Sequence, residues 1–389
     1  MDAGFLSNKV ILILSPQSWG KMLLAKHHYA IELASRGNEV YFLNPPDNDH
    51  WSWKRATQRI SVLKSADHSN LFLIDQQLFF PYKIIFHARR LYNFFIRKQI
   101  ADILRVIGKP VDVIWSFDLG NLFPLRYFNP SVYKVFHPLD EPRTPEAIRA
   151  SAGADVLFSV TGEILARYKY PLSRHLINHG ISDEFIKEQP DHRNGDRIQV
   201  GFSGNLLRRD IDRDTLLSII RDNQELDFNF FGSYEIGQSN IGAGMDNRTA
   251  GFIKDLKILA NVKLHGVLDS AALAAALNEM QVLLICYDIE KDQSRGTNYH
   301  KVMEYISTGK VIVSNNITAY AGEPALVRMV AERNNNKNLG TLFLDTVRNL
   351  DTHNSPELFH YRVNFARNNT YKRQLDRIEE LIRQTRKPS

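Results

Sequence analysis

The chain has one cysteine, Cys286, inside the apolar run "QVLLICY". That excludes a disulfide framework and any cysteine-rich metal site, and it suits a reducing compartment. No apolar stretch approaches the roughly 20 residues needed to cross a bilayer as a helix. The opening "MDAGFLSNKVILIL" carries an acid early and passes directly into a strand-like run, a poor match to a signal peptide. The expected location is therefore cytoplasmic. No short-period repeat is visible, and no nucleic-acid motif accompanies the basic residues, so nucleic acid is not an expected partner. What is present is ordinary globular material: 389 residues, 43% hydrophobic and 24% charged, enough for about two domains.

The net charge of +6 is unevenly spread. Between Pro81 and Gly108, "PYKIIFHARRLYNFFIRKQIADILRVIG" holds Lys83, Arg89, Arg90, Arg97, Lys98 and Arg105 against Asp102 alone. Phe86, Tyr92, Phe94 and Phe95 are interleaved with these bases, and Phe79 and Phe80 precede them. Residues 79–108 therefore read as an interfacial helix for an anionic membrane surface on the inner face of the cytoplasmic membrane. The competing reading is a core helix with a basic outer face.

Strand-like and helix-like runs alternate along the chain. "KVILILS", a helix over about 21–35, Gly37 and "EVYFLNPP" open the series, and "VDVIWSF", "VYKVFH", "DVLFSV" and "HLIN" follow. The rhythm restarts with "RIQVGFS", "FNFFGS", "VKLHG", "VLLICYD" and "KVIVS", separated by helical stretches. This is the βαβ pattern of parallel sheets covered on both faces. The expected architecture is α/β: a Rossmann-like domain over 1–186, the polar linker "KEQPDHRNGD" over 187–196, and a second Rossmann-like domain over 197–369. A charged C-terminal helix over about 370–389 is expected to pack back on the first domain. Two such domains face a cleft, with ligands at the carboxyl ends of the strands.

The strand ends of the second half carry the candidate chemistry. "VGFSGNLLRRDIDRDTL" places Gly204 and then Arg208 and Arg209 between a strand and a helix. A glycine lets a phosphate approach the backbone, and arginines bind its oxygens through a forked donor set. Asp210, Asp212 and Asp214 form Asp-x-Asp patterns that either chelate a metal or, as the more ordinary choice, cap the next helix. Gly232 and Gly266 end two further strands. In the first half, Gly20 follows the first strand, and His137, Asp140 and Glu141 follow "VYKVF" at a strand end where they can orient or deprotonate a hydroxyl.

The fourth strand end leads into "NYHKVMEYISTGKVIVS". Asn298 is a candidate N-cap, Gly309 the helix stop, and Val302, Met303 and Ile306 the apolar face. His300, Lys301 and Glu304 share another face. Taken alone, they read as a solvated surface with a Lys301–Glu304 pair worth at most about 0.5 kcal/mol. At a strand end, the helix N-terminus with Lys301 in its first turn is instead an anion site.

Together, "HHYAIELASRGNEVYFLNPP", "ADVLFSVTGEILARY", "INHGISDEF", "VGFSGNL", "VKLHGVL" and "NYHKVMEYISTGKVIVS" resemble the group-1 glycosyltransferases of the GT-B fold. The resemblance covers most of the chain. It implies a hexosyl- or related glycosyltransferase, retaining in stereochemistry, that moves a sugar from a nucleotide diphosphate to a glycan or polyprenyl-linked glycan in cell-surface polysaccharide synthesis. Glu304 would hold the ribose hydroxyls. Asn298, Tyr299, His300 and Lys301 would contact diphosphate or sugar, together with Gly204, Asn205, Gly232 and Tyr287. Arg208 or Arg209 would neutralise the leaving diphosphate, and Val267 and Leu268 would meet the base. Gly20 would lie near the phosphates and His137 near the reacting carbon, so that His137, Asp140 and Glu304 are the expected catalytic set. No cofactor or metal is implied. The sequence departs from the family at Gly296, where an acid usually stands eight positions before Glu304, at Val311 for a usual proline, and at Asn205 for a usual base. Gly296 motivates one alternative, a non-catalytic sugar-nucleotide-binding or scaffold protein of a glycan-assembly complex; a GT-B sugar-nucleotide epimerase, which needs no acceptor, is a third reading.

Overall fold

The structure, a computed structural model, describes residues 4–20, 23–46, 60–171, 173–187, 196–237, 245–292 and 294–385. The chain divides into two compact units. One comprises Met1–Asn178 with Gln374–Ser389, the other His179–Arg373.

Unit 1 is built on a sheet of eight strands among the described residues: β1 (Val10–Leu14), β2 (Glu39–Leu43), β3 (Ile60–Lys64), β4 (Leu71–Gln76), β5 (Val113–Ser116), β6 (Tyr133–Phe136), β7 (Val156–Ser159) and β8 (Arg174–Leu176). Their order is β3-β4-β2-β1-β5-β6-β7-β8. The central strands are buried along nearly their whole length, which is why they read as continuous apolar runs. Every pairing is parallel except β3 with β4. The fully parallel sheet expected from the sequence thus gains an antiparallel edge. That edge strand, "ISVLK", is largely exposed and short, so its apolar signal is weak. The segment Arg89–Ile107 is a helix that buries Tyr92, Ile96, Ile100, Ile103 and Ile107 against this sheet's core. From Gln374 the C-terminal helix Tyr371–Thr385 belongs to unit 1. Its Glu379 accepts a hydrogen bond from the Leu6 N–H at 3.1 Å and lies 3.6 Å from Arg36, while Asp376 pairs with Arg36 at 2.9 Å. A Cβ on Gly4 would fall 2.3 Å from the Glu379 carboxylate, so a glycine admits that side chain.

Unit 2 carries β9 (Gln199–Ser203), β10 (Asp227–Phe231), β11 (Val262–Gly266), β12 (Val282–Ile285), β13 (Val311–Ser314) and β14 (Arg328–Met329), all parallel in the order β11-β10-β9-β12-β13-β14. The chain runs one way from β9 to β11 and the other way from β12 to β14. The switch therefore falls between β9 and β12, where an open α/β sheet leaves a crevice at its carboxyl edge. The division between units lies at Asn178/His179, upstream of the expected boundary at 186. Ile181 and Phe185 are buried in the second core, which draws 179–186 into unit 2. Of the expected linker 187–196, residues 188–195 lie outside the described residues. Residues 181 and 370 form a parallel bridge, with Ile181 N–H bonded to the Asn369 carbonyl at 2.9 Å and Tyr371 N–H to the Ile181 carbonyl at 3.2 Å.

Candidate functional site

Three neighbouring strands of unit 2 end in glycines that are tied together. Gly204 N–H donates to the Phe231 carbonyl at 2.8 Å and Gly232 N–H to the Gly266 carbonyl at 2.7 Å. Gly204 and Gly232 both have φ +144°, and a Cβ on Gly232 would sit 2.0 Å from the Gly204 carbonyl oxygen. Only glycine satisfies that conformation and that approach. The result is a shelf of bare backbone at the carboxyl edge of β9, β10 and β11. Asn205 serves the turn itself, its Oδ1 accepting from Leu207 N–H at 2.9 Å. Val267 and Leu268 follow β11, partly buried.

Lys301 reaches this shelf. Its helix, His300–Ser307, buries Val302, Met303, Tyr305 and Ile306, which fixes the rotation of the helix. Tyr305 Oη accepts from Ser203 N–H at 2.6 Å and ties the helix to the end of β9. The Lys301 ammonium donates to the Ser203 carbonyl and to Tyr287 Oη, and lies 5.1 Å from the Phe202 ring centre. A Cβ on Gly204 would fall 2.6 Å from Nζ. Burial pushes the Lys301 pKa down to about 7; Arg208 lowers it further, and Glu304, Asp210 and Asp292 oppose the shift.

Arg208 is the second cation. Asp210 accepts from its guanidinium at 2.9 and 3.1 Å, and Asp292 lies 3.6 Å away. Burial alone would lower its pKa, but the Asp210 hydrogen bonds together with the charges of Tyr287, Asp210 and Asp292 outweigh it and the net shift is upward. Arg208 and Lys301 both lie over the Tyr287 ring, at 5.8 and 4.9 Å. Tyr287 packs on Tyr299 with ring centres 5.1 Å apart, and Asn315 joins the two, accepting from Tyr287 N–H at 2.9 Å and donating toward Tyr299 Oη at 3.4 Å.

Arg209 does not join this group. It is exposed and pairs with Asp246 at 3.2 Å, on the rim of a separate polar hollow of about 570 Å³ that Lys301 and Glu304 do not line. Asp212 caps the helix Arg213–Asp222, accepting from Thr215 N–H at 3.2 Å, and Asp210 is engaged by Arg208.

Glu304 pairs with His300, not Lys301: Nδ1 of the ring is 3.2 Å from its Oε1. Lys301 turns inward to β9, leaving the carboxylate to the residue one turn before it. Asn298 is not the cap of this helix. The cap position is Tyr299, without a side-chain cap, and Asn298 lies buried one residue earlier. Gly309 has φ +71° and ends the helix as read from sequence.

The loop before the helix leaves no room for an acid at 296. Gly296 has φ +67°, and a Cβ there would meet the Asn316 carbonyl and Ile289 at 2.8 Å. Asp292 organises this loop. It is 1% exposed and accepts from Ser294 N–H, Ser294 Oγ and Gly296 N–H at 3.2, 2.7 and 2.9 Å. Glu290 is exposed, one of the residues lining the hollow at Arg209.

The unit 1 candidates are less tightly grouped. Gly20 lies in the loop after β1. His137 follows β6 but has no exposed surface. It is enclosed by Tyr29, Trp115, Phe117 and Phe158, and burial lowers its pKa to about 3. In this conformation its ring is a core group and is not presented to a substrate hydroxyl, contrary to the expectation from sequence. Asp140 is exposed and faces Lys26, whose pKa burial lowers to about 8 against the pull of Asp140. Sequence reasoning missed Ser203, Asn315 and Tyr371 as partners of the site, and it read Asp210 as a metal ligand or helix cap, not as the partner of Arg208. An aspartate following Arg-Arg was the one usable hint.

No protein-family model matches the sequence, and no curated protein does so. Solved structures match over nearly the whole chain. A sucrose-phosphate synthase from Thermosynechococcus elongatus superposes with TM-score 0.69 at 14% identity, covering 97% of this chain and 98% of that one. Anabaena HepE in complex with UDP-glucose gives 0.65 at 13%, covering 97% and 100%. A glycosyltransferase from Rickettsia africae gives 0.62 at 12%, covering 98% and 100%. This chain has the GT-B fold. Within that GT-B frame, the glycine shelf, Lys301 and Arg208 stand at the carboxyl edge of the unit 2 sheet, and His300 with Glu304 on the adjoining helix.

Proposed function

We propose that the protein is a glycosyltransferase that binds a nucleotide-diphosphate sugar on unit 2 and transfers the sugar, with retention, to a glycan or polyprenyl-linked glycan in cell-surface polysaccharide synthesis. The observation that carries this reading is the pairing of Lys301 and Arg208 beside the bare backbone of Gly204. A diphosphate there would receive a compact ammonium that already lies over the Gly204 backbone and a forked guanidinium, and those same charges would stabilise it as it departs. Glu304 would hold the ribose hydroxyls and the backbone at Val267 and Leu268 the base. The reading needs no metal, because the two cations supply the charge. The fold agrees, since HepE with UDP-glucose shares it. Isothermal titration of UDP, GDP and ADP tests it. Lys301→Ala and Glu304→Gln should each weaken the preferred nucleotide at least tenfold; wild-type affinity in both sinks the reading.

The unit 1 surface supports a lipid-linked acceptor. Phe86 and Phe94 are 71% and 70% exposed, beside the exposed Lys83, Arg90, Leu91, Arg97 and Lys98. The opposite face of the Arg89–Ile107 helix is core, as the competing reading of 79–108 has it. The outward aromatics and cations suit an anionic bilayer surface on the cytoplasmic side. A second function is favoured by Gly296, which removes the acid expected to read the donor sugar: a sugar-nucleotide-binding scaffold without turnover. Release of nucleoside diphosphate from any member of a nucleotide-sugar panel rules it out, and product analysis with donor alone separates transfer from epimerisation.

A further inference from the structure

His300 links Glu304 to a residue far along the chain. Its Nδ1 is 3.2 Å from Glu304 Oε1, and its Nε2 is 2.6 Å from Tyr371 Oη. An ionised carboxylate only accepts, so Nδ1 carries the proton; in the neutral ring Nε2 then accepts from the Tyr371 hydroxyl. The ring is confined on two sides. His179 meets it edge-on at 5.5 Å with an interplanar angle of 83°, and the Tyr371 ring lies nearly parallel to it at 6.3 Å. Tyr371 is itself seated in a niche that one glycine keeps open: a Cβ on Gly180 would fall 2.4 to 2.7 Å from its ring carbons. Gly180 is absent from the positive-φ glycines, so space and not backbone conformation explains it. The backbone holds the same place, through the Ile181–Tyr371 hydrogen bond.

We propose that His300 and Tyr371 are positioning residues of the donor site, a fixed Tyr–His–Glu chain that sets the rotamer of Glu304 toward the nucleotide ribose. The inference rests on the assignment of Glu304 to the ribose hydroxyls. A glutamate on a helix surface samples several rotamers, and holding two hydroxyls requires one of them. A hydrogen bond one turn back along the helix selects it, and the His300 ring can do so because Tyr371 occupies its other nitrogen. Residue 371 thus contributes to ribose recognition without touching the ligand.

The test titrates UDP, GDP and ADP, each with its 2′-deoxy counterpart, into the full-length protein. The readout is the ratio of the two dissociation constants. Tyr371→Phe keeps the ring in its niche and removes the hydroxyl; His300→Phe keeps a ring and removes both nitrogens. Each should lower the ribose preference about three- to tenfold, the range of one lost hydrogen bond. In a Glu304→Gln background, Tyr371→Phe should add nothing. A merely structural role would shift melting temperature while leaving the ratio unchanged. If Glu304→Gln abolishes the preference while Tyr371→Phe and His300→Phe keep it, the relay is refuted. If Glu304→Gln also keeps it, the ribose assignment itself fails, and that result is distinct from the first.

Discussion

At the proposed diphosphate site, Lys301 should make donor affinity a function of pH. Its pKa of about 7 in the free protein places half-ionisation within the working range, through burial first and Arg208 second. A diphosphate needs the ammonium charged. The protonated fraction falls from about three-quarters at pH 6.5 to about 3% at pH 8.5 for such a group. If the bound anion holds the proton on, affinity drops by the ratio, about 25-fold or about 1.9 kcal/mol. Nucleotide-sugars are the right probes, because a diphosphate diester keeps constant charge in this window whereas a terminal phosphate ionises near pH 6. Titration calorimetry of UDP-glucose, GDP-mannose and ADP-glucose at the two pH values gives the slope directly. In buffers of different ionisation enthalpy, binding near pH 8 should also take up close to one proton. Stability of the free protein runs the other way. The pKa is depressed from 10.5, so between about 7 and 10.5 the unfolded chain binds more protons and stability rises with pH. Affinity constant within twofold across the window, or a Lys301→Met protein as pH-dependent as wild type, refutes the reasoning.

Gly204→Ala should cost about 1–3 kcal/mol of stability in a denaturant melt, from backbone strain at φ +144° and displacement of the Lys301 ammonium, and should weaken nucleotide binding as well. The adjacent arginines should separate cleanly in a binding titration: Arg208→Ala loses the nucleotide, whereas Arg209→Ala, exposed and paired with Asp246, keeps it within about twofold. Exchanging both Phe86 and Phe94 for serine should leave the unfolding free energy in a denaturant melt within about 0.5 kcal/mol of wild type, since both are surface positions. The same double variant should lose co-sedimentation with anionic vesicles; equal, negligible sedimentation of the wild-type protein with neutral and anionic vesicles ends the membrane reading.

Buried parallel strands announce themselves, and so most of the fold was legible. "VILIL", "VLLI" and "VIVS" are apolar because both faces of their sheets are covered. β3, β4 and the two-residue β14 escaped: β3 is an exposed edge, β14 is short, and β4, "LFLIDQ", is only intermittently buried along its length. At the site, Gly204, Gly232 and Lys301 were legible because backbone conformation and helix position constrain residue type. The direction of each side chain was not. Arg208 and Arg209 are equivalent in sequence, and only Asp210 and Asp292 on one side and Asp246 on the other separate them. His137 sits at the strand end where expected, yet aromatic packing encloses it, which no local pattern encodes. Tyr371 lies 71 residues from His300, beyond the reach of any spacing argument.

The partition of the chain has a consequence for how it is made. His179–Arg373 is continuous, whereas Met1–Asn178 must await Gln374 onward. On a ribosome, synthesis runs at about 5–20 residues per second and early domains condense first. Here the unit that begins first finishes last. The Leu6 N–H and the Arg36 guanidinium have no Glu379 or Asp376 to meet until the final helix has emerged. By then the inserted unit, whose two ends meet at Ile181 and Thr370, already has every residue it needs. A nascent chain stalled short of Glu379 should therefore show hydrogen-exchange protection through unit 2 and excess exchange at the N-terminal edge of unit 1.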